Sequence, residues 1–171
     1  MGHRRWTAGI AVAVVGLTWS AVAMAGEWVV DREATPDGQR TNVVASLDAV
    51  EPFQDWLGEE CRPRLVLSCE DGATRVAVDV GSPLEVEVGR FHQSTVNIRL
   101  TKGKAKTVVA SHNDEGEGLL LPKPEKWVKS LAGEELLHVQ FLAYRIGPQE
   151  VHFELDGIDA VVDDIREACD W

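Results

Sequence analysis

Beyond residue 26, apolar and polar side chains alternate along most of the chain, the period-2 pattern of strands that bury one face. Trp28-Val29-Val30 opens a first strand over 27–31, and Val43 to Leu47 forms the centre of a second within Thr41 to Val50. Between them, Thr35-Pro36-Asp37-Gly38 has the composition of a turn, with proline presetting φ and glycine allowing φ > 0. Residues 51–62 hold Pro52, Gly58 and an acidic pair and read as irregular. Leu65-Val66-Leu67-Ser68-Cys69 and Thr74 to Val80 flank Asp71-Gly72, which predicts a hairpin. Further alternation runs through Leu84, Val86 and Val88, then Val96, Ile98 and Leu100. Thr107 to Ala110 is a weaker strand, and Leu119-Leu120-Leu121 is a short apolar run. Leu137, Val139, Phe141 and Ala143 alternate with polar residues, as do Val151, Phe153 and Leu155, with Gly147-Pro148 marking the turn between the two strands.

Two segments change period. Pro124 suits a helix start, where its missing N–H costs nothing. Trp127, Val128 and Leu131 follow at helical spacing, and Gly133 supplies a stop. Near the C-terminus, Ile158, Val161, Val162, Ile165, Ala168 and Cys169 make one apolar stripe, opposite Asp163, Asp164, Arg166 and Glu167. Asp156 is the candidate N-cap of this helix, with Asp159 in the capping-box position. The expected class is mainly β (α+β): an antiparallel sandwich or curled sheet of about eight strands, with two helices in the C-terminal third.

The first residues lack this alternation. Arg4 and Arg5 precede an apolar run from Ala8 to Leu17, and the segment closes on Ala23-Met24-Ala25, the small-x-small pattern of a signal peptidase site. The run is shorter than the roughly 20 apolar residues needed to span a bilayer, and Thr18 and Ser20 interrupt its continuation. Residues 1–25 are therefore expected to be a cleaved signal, leaving 26–171 as one exported domain with no stable membrane span. The whole chain carries a formal charge of −11, and removing the two arginines with the signal makes it −13. Such a chain is poorly suited to nucleic acid, whose binding depends on cationic side chains replacing counterions. Lys102-Gly103-Lys104-Ala105-Lys106, a small basic cluster between two strands, reads as a hairpin loop.

An exported chain with three cysteines is expected to hold one disulfide and one remaining thiol. With 64–69 extended at ~3.3 Å per residue, Cys61 and Cys69 lie on the order of 20 Å apart, whereas a disulfide needs Cα atoms within about 7 Å. Cys169 is then one partner, with Cys69 or Cys61 as the other. A bridge to Cys69 would close a loop of about 100 residues, worth roughly 4 to 5 kcal/mol in the chain-entropy account.

Catalytic patterns are lacking. His92, His112, His138 and His152 show no zinc spacing, and no cofactor is expected. His138 and His152 fall on the polar alternation of neighbouring strands and read as a solvated sheet face. Ser94 and Ser111 sit in no nucleophile elbow and have no base visible in the sequence. Asp114-Glu115-Gly116-Glu117-Gly118 lacks the ligand spacing of a calcium loop. Trp56, in the irregular 51–62 segment, is the candidate surface contact, because a loop tryptophan can anchor recognition.

Trp28 at the start of the mature chain, Pro63-Arg64-Leu65-Val66-Leu67-Ser68-Cys69, and Phe153-Glu154-Leu155-Asp156-Gly157-Ile158 leading to Ala168-Cys169-Asp170-Trp171 resemble the VasI/TagO group. These are small exported proteins often associated with bacterial type VI secretion. Ser68 stands where the group's pattern has arginine. The resemblance implies a periplasmic accessory protein without catalysis, with protein partners in the cell envelope. It also implies a Cys69–Cys169 bridge, which leaves Cys61 as the remaining thiol. Two other functions are compatible with the residues: a module binding an envelope polymer through exposed aromatics, and a hydrolase assembled from scattered residues.

Overall fold

The computed structural model describes residues 26–171 apart from Asp37, Val88, Arg90 and Lys102. The expected signal segment, residues 1–25, lies outside the described residues. Its alternating segments become eleven strands: β1 (Val29–Ala34), β2 (Thr41–Asp48), β3 (Phe53–Gln54), β4 (Glu60–Cys61), β5 (Arg64–Glu70), β6 (Ala73–Asp79), β7 (Gln93–Leu100), β8 (Lys106–His112), β9 (Gly118–Leu120), β10 (Leu136–Ala143) and β11 (Gly147–Glu154). Two helices accompany them, α1 (Pro124–Leu131) and α2 (Ile158–Cys169). Nine strands form one antiparallel sheet in the order β1-β2-β5-β6-β9-β8-β7-β10-β11, and β3 and β4 form a separate small hairpin.

Register converts the alternation into continuous apolar rows. Leu47 pairs with Leu65, Leu65 with Val78, and Val78 with Leu119. On the other half, Ile98 pairs with Val139, and Val139 with Val151. All of these side chains are buried. The sheet curls without closing into a barrel. Val50, just past β2, donates its N–H to the His152 carbonyl on β11 at 3.0 Å, although β1 and β11 do not pair with each other. The curl buries the rows on the inside, and the helices cover one flank. The stripe Ile158, Val161, Val162 and Ile165 packs α2 on β2, β5 and β6, while α1 packs on β6 and α2. Among the described residues no helix is long and apolar enough to cross a membrane.

Three local expectations are corrected. The alternation of Leu84, Val86 and Val88 does not form a strand. Leu84 makes only an isolated bridge to Ala143, Val86 is exposed, and Val88 is outside the described residues. This segment lies where β7 and β10 part, since those strands pair only from Asn97 to Leu100, so no continuous ladder is available to it. The turn between β10 and β11 is Tyr144-Arg145-Ile146, with Arg145 at φ 63°, and Pro148 lies inside β11 opposite Leu142. Proline is tolerated there because β11 is an edge strand and needs no N–H on its open side. Asp156 does not cap α2. Gly157 is the N-cap at φ 80°, and the Asp159 carboxylate instead accepts from the Gly133 N–H at 2.8 Å, tying α2 to the end of α1. Residues 51–62 are irregular except for the β3–β4 hairpin.

Candidate functional site

The site is built by three loops at one end of the curl. In the β3–β4 hairpin, Asp55 Oδ1 accepts from the N–H groups of Leu57 and Glu59, both at 2.8 Å, and Gly58 takes the positive φ of the turn. This local bonding, typical of aspartate in turns, holds Trp56 out at 39% exposure. Its ring meets Tyr144 edge-on at 6.0 Å, and the Arg145 guanidinium sits 5.1 Å from Trp56 and 5.0 Å from Tyr144. The second loop is the wedge between β7 and β10. Glu85 N–H donates to the Leu142 carbonyl at 2.9 Å, Tyr144 N–H donates to the Pro83 carbonyl at 2.9 Å, and Leu84 N–H donates to the Gly116 carbonyl at 3.1 Å. The third is the β8–β9 loop, where Asn113 Oδ1 accepts from the N–H groups of Glu117 and Gly118 at 3.0 Å each.

Together the loops enclose a cleft of about 450 Å³. It is lined by the rings of Trp56 and Tyr144, the aliphatic Leu84 and Val86, the carboxylates Glu85, Asp114 and Glu115, and the imidazoles His92 and His112. Leu57 and Phe91, chain neighbours of Trp56 and His92, are 61% and 86% exposed. An apolar surface with a few convergent polar groups is the general form of a binding site.

Ser94 and His112, which show no connection in the sequence, meet behind the cleft at 2.7 Å, Oγ to Nε2. Ser94 Oγ also donates to the Glu85 carbonyl at 2.9 Å. A hydroxyl has one proton. With that proton on Glu85, Ser94 accepts from His112 Nε2–H, the reverse of the bond by which a base activates a nucleophile. Ser94 is also fully buried. The pair therefore stitches β7, β8 and the wedge together. Burial, and secondarily the neighbouring His92, push the His112 imidazole below its ordinary pKa. The pairing has a sequence signal in parity: Ser94 falls two residues before Val96 and His112 two after Ala110, both on the inward face.

His138 and His152 lie directly opposite each other, with stacked rings 5.7 Å apart. His138 Nδ1 faces Glu150 at 3.4 Å, and His152 Nδ1 faces Glu51 at 2.9 Å. The second contact fastens the post-β2 loop to β11. Burial first, then Arg99, lowers the His138 pKa, while Glu150 opposes the shift. Among the described residues no three His, Cys, Asp or Glu side chains are grouped to hold a metal.

Cys69 and Cys169 are joined in a disulfide with Cα atoms 5.7 Å apart, closing a sequence separation of 100 residues. Of the two partners left open for Cys169 by chain geometry, the one implied by the resemblance is present. Beside it, Trp171 Nε1 donates to Thr74 Oγ1 at 2.8 Å, and Lys129 lies 4.3 Å over the Trp171 ring. Cys61 is unpaired and half-buried, with its thiol against the Gly81 carbonyl at 3.2 Å. Burial, then Asp55, Glu59 and Glu117, push its pKa up, so the thiol stays protonated, opposite to the shift a nucleophilic cysteine needs. The Lys104 and Lys106 part of the basic cluster lies away from the cleft, at the β7–β8 turn and the start of β8; Lys102 is outside the described residues.

No family model matches this chain, and no curated protein does. A solved structure does. The crystal structure of invasion associated protein B from Bartonella henselae aligns with a TM-score of 0.54 and 12% identity, over 86% of this chain and 97% of that one. At that identity, what the two chains share is the fold.

Proposed function

We propose that this chain is a non-enzymatic, exported accessory protein of the cell envelope, of the VasI/TagO kind, which docks a protein partner on the Trp56 cleft. The observation carrying this reading is the cleft itself: an indole held out by a self-bonded turn, next to Tyr144 and the exposed Val86. Such aromatic anchors contribute disproportionately to association. The non-enzymatic part is supported by the states of the two nucleophile candidates, Ser94 buried as an acceptor and Cys61 held as a thiol. Export is supported by the N-terminal pattern and by the disulfide, a bond characteristic of oxidising compartments. The link to type VI secretion rests on the resemblance of the Pro63–Cys69 and Phe153–Trp171 segments.

Crosslinking in intact cells, with wild-type and Trp56→Ala proteins compared by mass spectrometry, tests the reading. The expected outcome is a defined envelope protein captured by the wild type and lost with Trp56→Ala, at unchanged protein level. An identical partner set for both would place docking elsewhere. Retention on purified sacculi with no protein partner would replace this reading with the polymer-binding one.

A further inference from the structure

Resting on the docking reading, we propose that the partner presents an extended segment bearing lysine or arginine, whose cation lies among Glu85, Asp114 and Glu115 while an apolar side chain two residues away covers Trp56 and Val86. The lining of the cleft argues for this occupant. Its three carboxylates come from two walls, Glu85 from the wedge and Asp114 and Glu115 from the β8–β9 loop, and no lysine or arginine lines it among the described residues. Each carboxylate retains acceptor capacity. Glu85 Oε2 accepts the Arg145 N–H at 3.3 Å, and Glu115 Oε2 accepts from Asn113 Nδ2 at 3.4 Å, both neutral donors. Leu84 and Val86 line the same cleft as these carboxylates and the indole. In an extended chain residues i and i+2 face the same side, so a cation and an aliphatic anchor two residues apart enter the cleft together.

Arg145 lies against both rings at about cation–π distance, so the face of Trp56 that a sugar ring would stack on is shared with a charged group. His112, held neutral by burial, adds no positive charge to the cleft near pH 7. An anionic ligand would meet three carboxylates, and charge complementarity decides between partners of similar shape.

The test uses short capped peptides with a leucine and a lysine two residues apart, with counterparts carrying glutamine or glutamate in place of lysine. They are titrated into the purified disulfide-bonded protein by calorimetry. The lysine peptide is expected to bind about tenfold or more tightly than the glutamine peptide, and the glutamate peptide least. The paired substitution Asp114→Asn with Glu115→Gln is expected to erase the lysine preference and leave the glutamine peptide unaffected. Asp163→Asn with Glu167→Gln, carboxylates on α2, should leave the preference intact. An equal loss from the α2 pair would reduce the effect to the general acidity of the surface and overturn the proposal. So would equal affinity for all three peptides, binding of none, or lysine-peptide binding that survives Trp56→Ala. Any of these, alongside partner loss in the Trp56→Ala crosslinking experiment, would leave the docking reading standing. Unchanged crosslinking would remove that reading as well.

Discussion

The two ends of β6 finish the same sheet by different means. At the Thr74 end, the apolar stripe of α2 lies on β2, β5 and β6, the disulfide joins β5 to the end of α2, and Trp171 closes over Thr74. At the Val80 end no helix is present among the described residues. The Val80 N–H donates to the Glu117 carbonyl, and three loops complete the structure through side chain–backbone bonds from Asp55, Asn113 and Ser94. The first end is stabilised by burial and a covalent constraint, which resist local opening. The second is held by hydrogen bonds, each worth only about 0.5–1.5 kcal/mol net, and it keeps Trp56, Leu57 and Val86 exposed. Functional surfaces are commonly found on such loops over a rigid scaffold.

The largest expected effect lies at the disulfide end. Replacing Cys169 with serine should cost about 2–5 kcal/mol in denaturant unfolding, as removal of a native long-loop disulfide does. Cys61→Ser should change stability by less than about 1 kcal/mol, since a hydroxyl can also donate to the Gly81 carbonyl. Equal costs for the two would mean that the disulfide does not distinguish the ends and would undo the contrast.

The helix-backed end was legible in the sequence because each of its signals is local. The α2 stripe repeats at helical spacing, and Asp71-Gly72 takes the double positive φ of a tight hairpin, 52° and 77°. Alternation in β2, β5 and β6 persists because one face of each is buried. The cleft end was legible only in part. Trp56 stands out as a loop tryptophan, but its companions Tyr144, Glu85 and Glu115 sit on the β10–β11 turn, the wedge and the β8–β9 loop, which are joined to one another by long-range backbone hydrogen bonds. The parting of β7 and β10 explains why Leu84, Val86 and Val88 alternate like a strand without forming one. Tertiary hydrogen bonds of the wedge override local propensity there. Ser94 and His112 are not legible as a pair because serine and histidine break an apolar row, and only their parity with Val96 and Ala110 marks them as inward.

A smaller effect separates the ends further. Asn113→Ala removes the acceptor for two backbone N–H groups and should cost about 1–2 kcal/mol. The loss should be local, with amide hydrogen exchange accelerating at Asp114 to Gly118 while β5 amides keep their protection. Uniform acceleration across both regions would show that the β8–β9 loop is not a separable unit.

The subtlest contrast is in pH. The four histidines of the described residues, His92, His112, His138 and His152, lie on or beside β7, β8, β10 and β11, and none lies on β2, β5, β6 or either helix. Two of them, His112 and His138, bind a proton less readily in the folded chain than freely in water, in each case chiefly because burial penalises the charged ring. The unfolded chain therefore takes up more protons as the pH falls through the ordinary histidine value near 6.5. Linkage then requires these groups' contribution to stability to be present in full at pH 7 and above, and to be lost progressively below about pH 6.5, until the folded imidazoles protonate as well. His112→Gln retains a donor for Ser94 but cannot titrate. Unfolding measured in denaturant from pH 7.5 to 5 should give a shallower slope for this variant than for the wild type. An unchanged slope would mean that His112 titrates as if in water, and that the notch it shares with Ser94 is wet.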